Sequence, residues 1–152
     1  MLIQRPRLTA RALTGHGAML LSGDLVAAIA TLAPGAPLLG LHAMVPESAH
    51  ALRIGRDRAL LVTQAPLAAA DGWRDGWCAT CVDDGWTAIE VEGFDAPSAV
   101  AQGTSANLAA NSPSAAVLFA GFRCLLVRTE AGFRLHVETP WLEALLTWLE
   151  GA

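Results

Sequence analysis

The 152-residue sequence has no lysine, and its ten basic residues are all arginine, scattered in ones and twos. The first absence excludes a Schiff-base lysine and a P-loop lysine. The scatter excludes the basic stripe that a nucleic-acid surface requires, as does the net charge of −4. Charge of either sign is sparse, at 16% of residues where about 25% is ordinary. Long apolar runs are missing too. AMLL and LVAAIATLA are separated by Ser22-Gly23-Asp24, short of the roughly 20 residues that span a bilayer. The same break, with no clear cleavage site behind Arg5, Arg7 and Arg11, makes a poor secretory signal. There are only three cysteines, an odd number that fits a reducing compartment better than a disulfide framework. A cytoplasmic location is therefore expected. No Gly-x-Ser-x-Gly occurs, and Gly15-His16-Gly17 lacks the third glycine and preceding strand of a dinucleotide fingerprint.

What is present is a core. At 53% hydrophobic residues, a chain of this length can bury about 70% of its unfolded surface without a disulfide or metal. Too little charge remains to coat the outside evenly. Either part of the surface is sealed against a partner, or an alanine-rich chain tolerates the exposure.

Along the chain, residues 1–15 lack a sustained period and read as an irregular arm. Residues 18–33 predict an apolar helix interrupted near Ser22 to Asp24, with Asp24 capping its second piece. LLGLHAMV is a short strand candidate. ALRIG and RALLVT predict a hairpin, and residues 64–75 a loop. From Trp77 the signal sharpens. WTAIEVE predicts a strand with Thr87, Ile89 and Val91 on one face; Asp95 is placed to cap a short helix that Gly103 closes. AAVLFA and RCLLVRT are apolar on both faces and are expected centrally in a sheet. FRLHVE alternates, with Phe133, Leu135 and Val137 inward and Arg134, His136 and Glu138 outward. Thr139 and Pro140 then start a helix with an apolar face of Trp141, Leu142, Leu145, Trp148 and Leu149. This order predicts an α+β fold, with antiparallel or mixed sheets and helices on one side. Residues 16–76 form one half and residues 77–152 the other.

The stretch 71–86, DGWRDGWCATCVDDGW, looks most like a site. Cys78 and Cys81 lack the second ligand pair of a zinc centre. They also lack the strand-to-helix junction of a redox pair. On a strand, residues three apart point to opposite faces, so packing cysteines are expected. Asp-Gly is a turn pair and Trp a strand residue, so three turn-to-strand junctions explain the triplets. Asp83-Asp84 reads as a solvated turn. His16, His42, His50 and His136 are isolated in sequence. These residues supply no catalytic, cofactor-binding or metal-binding set.

Several pieces recur in a telling order: Asp84-Gly85-Trp86, the strand ending at Gly93, the helix running into Gln102-Gly103-Thr104-Ser105, the strands LLVRT and GFRLHVE, and the closing Trp148-Leu149. With ALRIGRDRALLVT upstream, residues 50–152 resemble the gamma subunit of heterotetrameric sarcosine oxidase. That subunit is grouped with the folate-binding glycine-cleavage T-protein and its YgfZ-like relatives. The resemblance implies two small ferredoxin-like or T-protein-like halves and a non-catalytic accessory subunit. It implies a large flavoprotein alpha subunit as partner, and a complex that oxidatively demethylates sarcosine or a similar N-methyl amine. FAD, FMN, NAD and tetrahydrofolate would be carried on other subunits, with none bound by this chain. The T-protein's folate-engaging acid has no counterpart, since the loop carries Asn107 and RCLLVRT no acid. A stand-alone folate-binding module and a self-associating structural protein, homo-oligomeric in isolation, are the alternatives. Trp141 and Trp148 are the candidate partner-interface residues.

Overall fold

A computed structural model of the chain describes residues 7–69 and 71–152. The first strand, β1 (Thr9–Ala12), is followed by β2 (Gly17–Gly23) and helix α1 (Leu25–Leu32). Strands β3 (Leu38–Leu39), β4 (His50–Gly55), β5 (Arg58–Thr63), β6 (Gly72–Arg74) and β7 (Trp77–Cys81) come next. The remainder is β8 (Trp86–Glu92), α2 (Ala96–Gly103), β9 (Ala116–Phe119), β10 (Phe122–Arg128) and β11 (Gly132–Glu138). A single 3-10 turn, Thr139–Trp141, leads into α3 (Leu142–Gly151).

The strands form two sheets, one of six strands in the order β3-β4-β5-β2-β7-β6 and one of five in the order β1-β8-β11-β10-β9. All pairings between these strands are antiparallel except β3 with β4, and an isolated bridge, Met44↔Arg128, is parallel. The fold is therefore α+β, as the order of its elements predicts. The layers follow from three cores. Met19, Leu21, Leu61, Trp77 and Ala79 of the six-stranded sheet bury Leu25, Ala28 and Ile29 of α1. Ile89, Val91, Leu126, Leu135 and Val137 of the five-stranded sheet bury Val100 of α2 and Leu145 and Leu149 of α3. The third core, Ala18, Leu52, Leu60 and Val62 against Leu125 and Val127, joins the inner faces of the two sheets. Helices thus cover each sheet on its outer side only.

Several elements differ from expectation. The region of residues 18–23 is β2, not helix. Because β2 is buried on both faces, its apolar run has no strand alternation to read. Asp24 does cap α1, its Oδ1 accepting from Ala27 N at 3.1 Å. The expected irregular arm contains β1, which pairs Arg11 with Glu90 of β8; residues 1–6 of that arm lie outside the described residues. A division between residues 16–76 and 77–152 does not follow the sheets, because β7 pairs with β2 through Leu21↔Ala79. The predicted loop 64–75 contains β6. Strand β9 is an edge, not central: Ala120 and Gly121, with φ of 51° and 86°, fold it back on β10. The rest of β10 is paired by the crossing segment 42–45, with His42 N–Leu126 O 2.9 Å and Arg128 N–Ala43 O 2.8 Å. Asp95 makes no side-chain cap; its carboxylate holds Arg7 at 3.1 Å.

Candidate functional site

The two tryptophans placed together by helical period are separated by the structure. Trp148 lies on α3 with its ring edge-on to Phe119, centroids 5.4 Å apart, against the outer core. Trp141 sits in the 3-10 turn, 50% exposed, its ring tilted on Phe122 at 5.8 Å. The turn is fixed by Thr139, whose Oγ1 lies 2.9 Å from Thr87 Oγ1 on β8. Thr139 therefore ties the turn to the sheet rather than capping a helix. Exposed apolar side chains elsewhere, among them Trp73, Phe94 and Leu118, carry no sequence signal, because strand alternation does not say which face stays uncovered. Phe94 is overlaid by the Arg7 guanidinium, 5.3 Å from the ring centroid.

The Asp-Gly-Trp stretch is architecture. Gly76 has φ 81°, and Trp77 behind it is 4% exposed in the α1-side core. Trp86 is half-buried at the start of β8, whereas Trp73 on β6 is 79% exposed. Cys78 is half-buried, but Cys81 is exposed and so does not pack as expected. Its thiol donates to Asp83 Oδ2 at 3.1 Å, and its N–H donates to Asp71 Oδ1 at 2.7 Å. The Asp83 N–H favours the thiolate of Cys81. The thiol's bond to the Asp83 carboxylate, desolvation and the charges of Asp83 and Asp71 outweigh it, and the pKa is raised. Asp83 is also more than a solvated turn residue, since its Oδ1 accepts from Ala18 N at 2.7 Å and ties β2 to the chain reversal before β8. Cys124 is sealed in the outer core, where desolvation pushes its thiol up to about 12.

Histidines isolated in sequence converge in space. His136, expected to face outward, is 3% exposed, because the inner face of β11 is covered by the second sheet. Desolvation lowers its pKa to about 3, with His50, Arg134 and His16 adding positive charge nearby. His50, equally buried, has its pKa lowered by desolvation, partly opposed by the Ser48 carbonyl 2.9 Å from Nδ1. That bond places the proton on Nδ1. Beside them Glu90 and Arg134 form a half-buried ion pair at 3.0 Å. Among the described residues, the Nε2 atoms of His50 and His136 have no hydrogen-bond partner. Among the same residues, no three His, Cys, Asp or Glu side chains are arranged to hold a metal ion.

Among the described residues, clefts open between segments far apart in the chain. One of about 410 Å³ takes His16, Asp83, Asp84, Trp86 and His136 into its wall. A second, about 420 Å³, lies between Leu20 and Ile54 of one sheet and Leu118 and Leu125 of the other. A third, about 620 Å³, lies between residues 38–43 and the loop 108–113. Asn107 is spent within its own loop, its Oδ1 accepting from Ala109 N at 3.1 Å.

No protein-family model and no curated protein sequence matches the chain. A solved structure does: a chain of the heterotetrameric sarcosine oxidase from Corynebacterium sp. U-96 in complex with pyrrole 2-carboxylate. The match has a TM-score of 0.75 and 19% identity, and covers 93% of this chain and 81% of that one. At that identity the likeness is one of fold.

Proposed function

We propose that the chain is a gamma-type accessory subunit of a heterotetrameric sarcosine-oxidase-like complex, itself non-catalytic and working in the cytoplasm. The fold match carries this reading. Its two coverages put the matching chain at about 175 residues, a length that supports a small subunit rather than a large flavin-carrying one. The resemblance of residues 50–152 to gamma subunits points the same way on separate grounds. In this reading FAD, FMN, NAD and tetrahydrofolate reside on the other subunits, which demethylate sarcosine or a similar N-methyl amine. This chain contributes a surface that a large flavoprotein subunit covers. Trp141, half exposed beside Phe122, is the proposed anchor of that contact, because tryptophan is enriched among the residues that carry interface energy and this one keeps surface for a partner to bury. Trp148 packs on Phe119, the register partner of Phe122 across the β9–β10 hairpin, and is the second, more buried residue of the proposed contact region.

Co-purification of the tagged chain from its host, with an absorbance scan of the eluate, tests the proposal. Larger partner chains and a flavin spectrum are the expected result. A colourless homo-oligomer would overturn it.

A further inference from the structure

We propose that the cleft between residues 38–43 and the loop 108–113 binds a small organic phosphate, with Arg53 and Arg128 holding its oxyanion. The lining contains no Asp or Glu, although the chain has 14 acidic residues against 10 basic ones. Both arginines are oriented without being neutralised. Arg128 Nε donates to the His42 carbonyl at 2.8 Å. Arg53 Nη1 donates to the carbonyls of Arg56 at 2.7 Å and Gly55 at 3.4 Å. Neither has a carboxylate within 4.0 Å among the described residues, unlike Arg7, paired with Asp95, and Arg134, paired with Glu90. Each guanidinium keeps further N–H donors, and this planar fork is the geometry that binds phosphate oxygens in pairs. His42 lies in the same wall, and its pKa is lowered by desolvation and then by Arg128, consistent with positive potential there. A volume near 620 Å³ falls within the usual range for small-molecule sites, about 300–1,000 Å³. Leu38, Leu41 and Leu108 supply an apolar wall for the organic part.

The chemistry of this cleft does not depend on the accessory-subunit reading. Calorimetric titration of the full chain with phenyl phosphate and with inorganic pyrophosphate, at matched ionic strength, tests it. Saturable one-to-one binding of both is expected, weakened about tenfold to a hundredfold by Arg53→Gln and by Arg128→Gln. Arg123→Gln, outside the cleft, should bind as the unaltered chain does. Thermal unfolding of each variant confirms that it is folded; Arg53→Gln removes only bonds within its own hairpin. Absence of saturable binding at millimolar ligand overturns the proposal. So does binding that survives both substitutions, or that weakens equally in Arg123→Gln. The first of these outcomes would instead leave the cleft as a seat for acidic side chains of a partner protein.

Discussion

The side chains of Trp141 and Trp148 differ in what surrounds them, and substitution should separate their roles. Trp148→Ala removes a ring packed on Phe119 and should cost about 2 to 3 kcal/mol of stability, toward the low end for a large aromatic because it is half-buried. Trp141→Ala should cost less than about 1 kcal/mol yet weaken capture of the partner chains. Urea denaturation and quantitative pull-down read the two effects, and equal losses in both assays for both variants would remove Trp141 as an anchor. Protonation provides a second test. His136 in the folded chain has its pKa lowered to about 3 from an ordinary value near 6.5, so the unfolded chain binds the proton more readily. Its contribution to stability is full above pH 6.5 and is lost as pH falls below that, at a slope approaching about 1.4 kcal/mol per unit. His50, also lowered, acts in the same direction. The urea midpoint should fall between pH 7.5 and pH 5, and His136→Gln should flatten that fall; a midpoint independent of pH in the parent chain would contradict the buried, neutral assignment. None of this was visible in sequence. His136 alternates with apolar residues like any exposed strand residue, and only the second sheet, from a distant segment, covers it.

Elements with a clear period or a bounding turn were legible. Strands β8 and β11 and helices α2 and α3 follow from alternation or helical period, even though Glu90 of β8 and His136 of β11 are buried on the second face. The β4–β5 hairpin follows from two short apolar runs either side of Gly55-Arg56-Asp57, although β5 is buried on both faces. Elements without such a signal misled. Strand β2 is covered on both faces, so its continuous apolar run resembles a helix. Strands β1 and β6 are short edge pieces whose partners complete them. Strand β9 is apolar on both faces, yet no second sheet covers its inner side at Leu118, which is 64% exposed. The β9–β10 turn was obscured by its first residue. Ala120 holds φ 51° before Gly121 at φ 86°, where Asn-Gly is the favoured pair for two consecutive positive φ values. Ala120→Asn relieves a left-handed alanine and should raise stability by about 0.5 kcal/mol. A lower melting temperature would mean that contacts of the Ala120 methyl with the outer core outweigh the backbone strain.

The molecule as a whole is bound by its exchanges between sheets. Chain from the N-terminal side supplies β1 to the five-stranded sheet, and segment 42–45 returns to pair with the far end of β10. The loop before β9 reaches back to the other sheet, where Ala115 N donates to Arg53 O at 2.7 Å and Ser114 Oγ to Ile54 O at 2.6 Å. With the shared core between the sheets, these connections leave neither sheet able to open alone. Urea unfolding followed by tryptophan fluorescence, which samples Trp77 in one sheet and Trp148 beside the other, should coincide with the loss of circular dichroism in a single transition. Two separated transitions would show that the halves are independent. The candidate clefts were illegible for a related reason: each is lined by segments far apart in sequence that only the packing brings together.

The pairing of Arg11 with Glu90 also sets a timetable for synthesis. The six strands of one sheet have all been made once Cys81 is added, while β1 still waits for β8. At about 5 to 20 residues per second, the ribosome needs on the order of 4 to 16 s to pass from one member of that pair to the other. From the addition of Val62 until β10 follows, the nascent chain presents Ala18, Leu52, Leu60 and Val62 with Leu125 and Val127 not yet there to cover them. A growing chain of this topology is a natural client for chaperones at the exit tunnel.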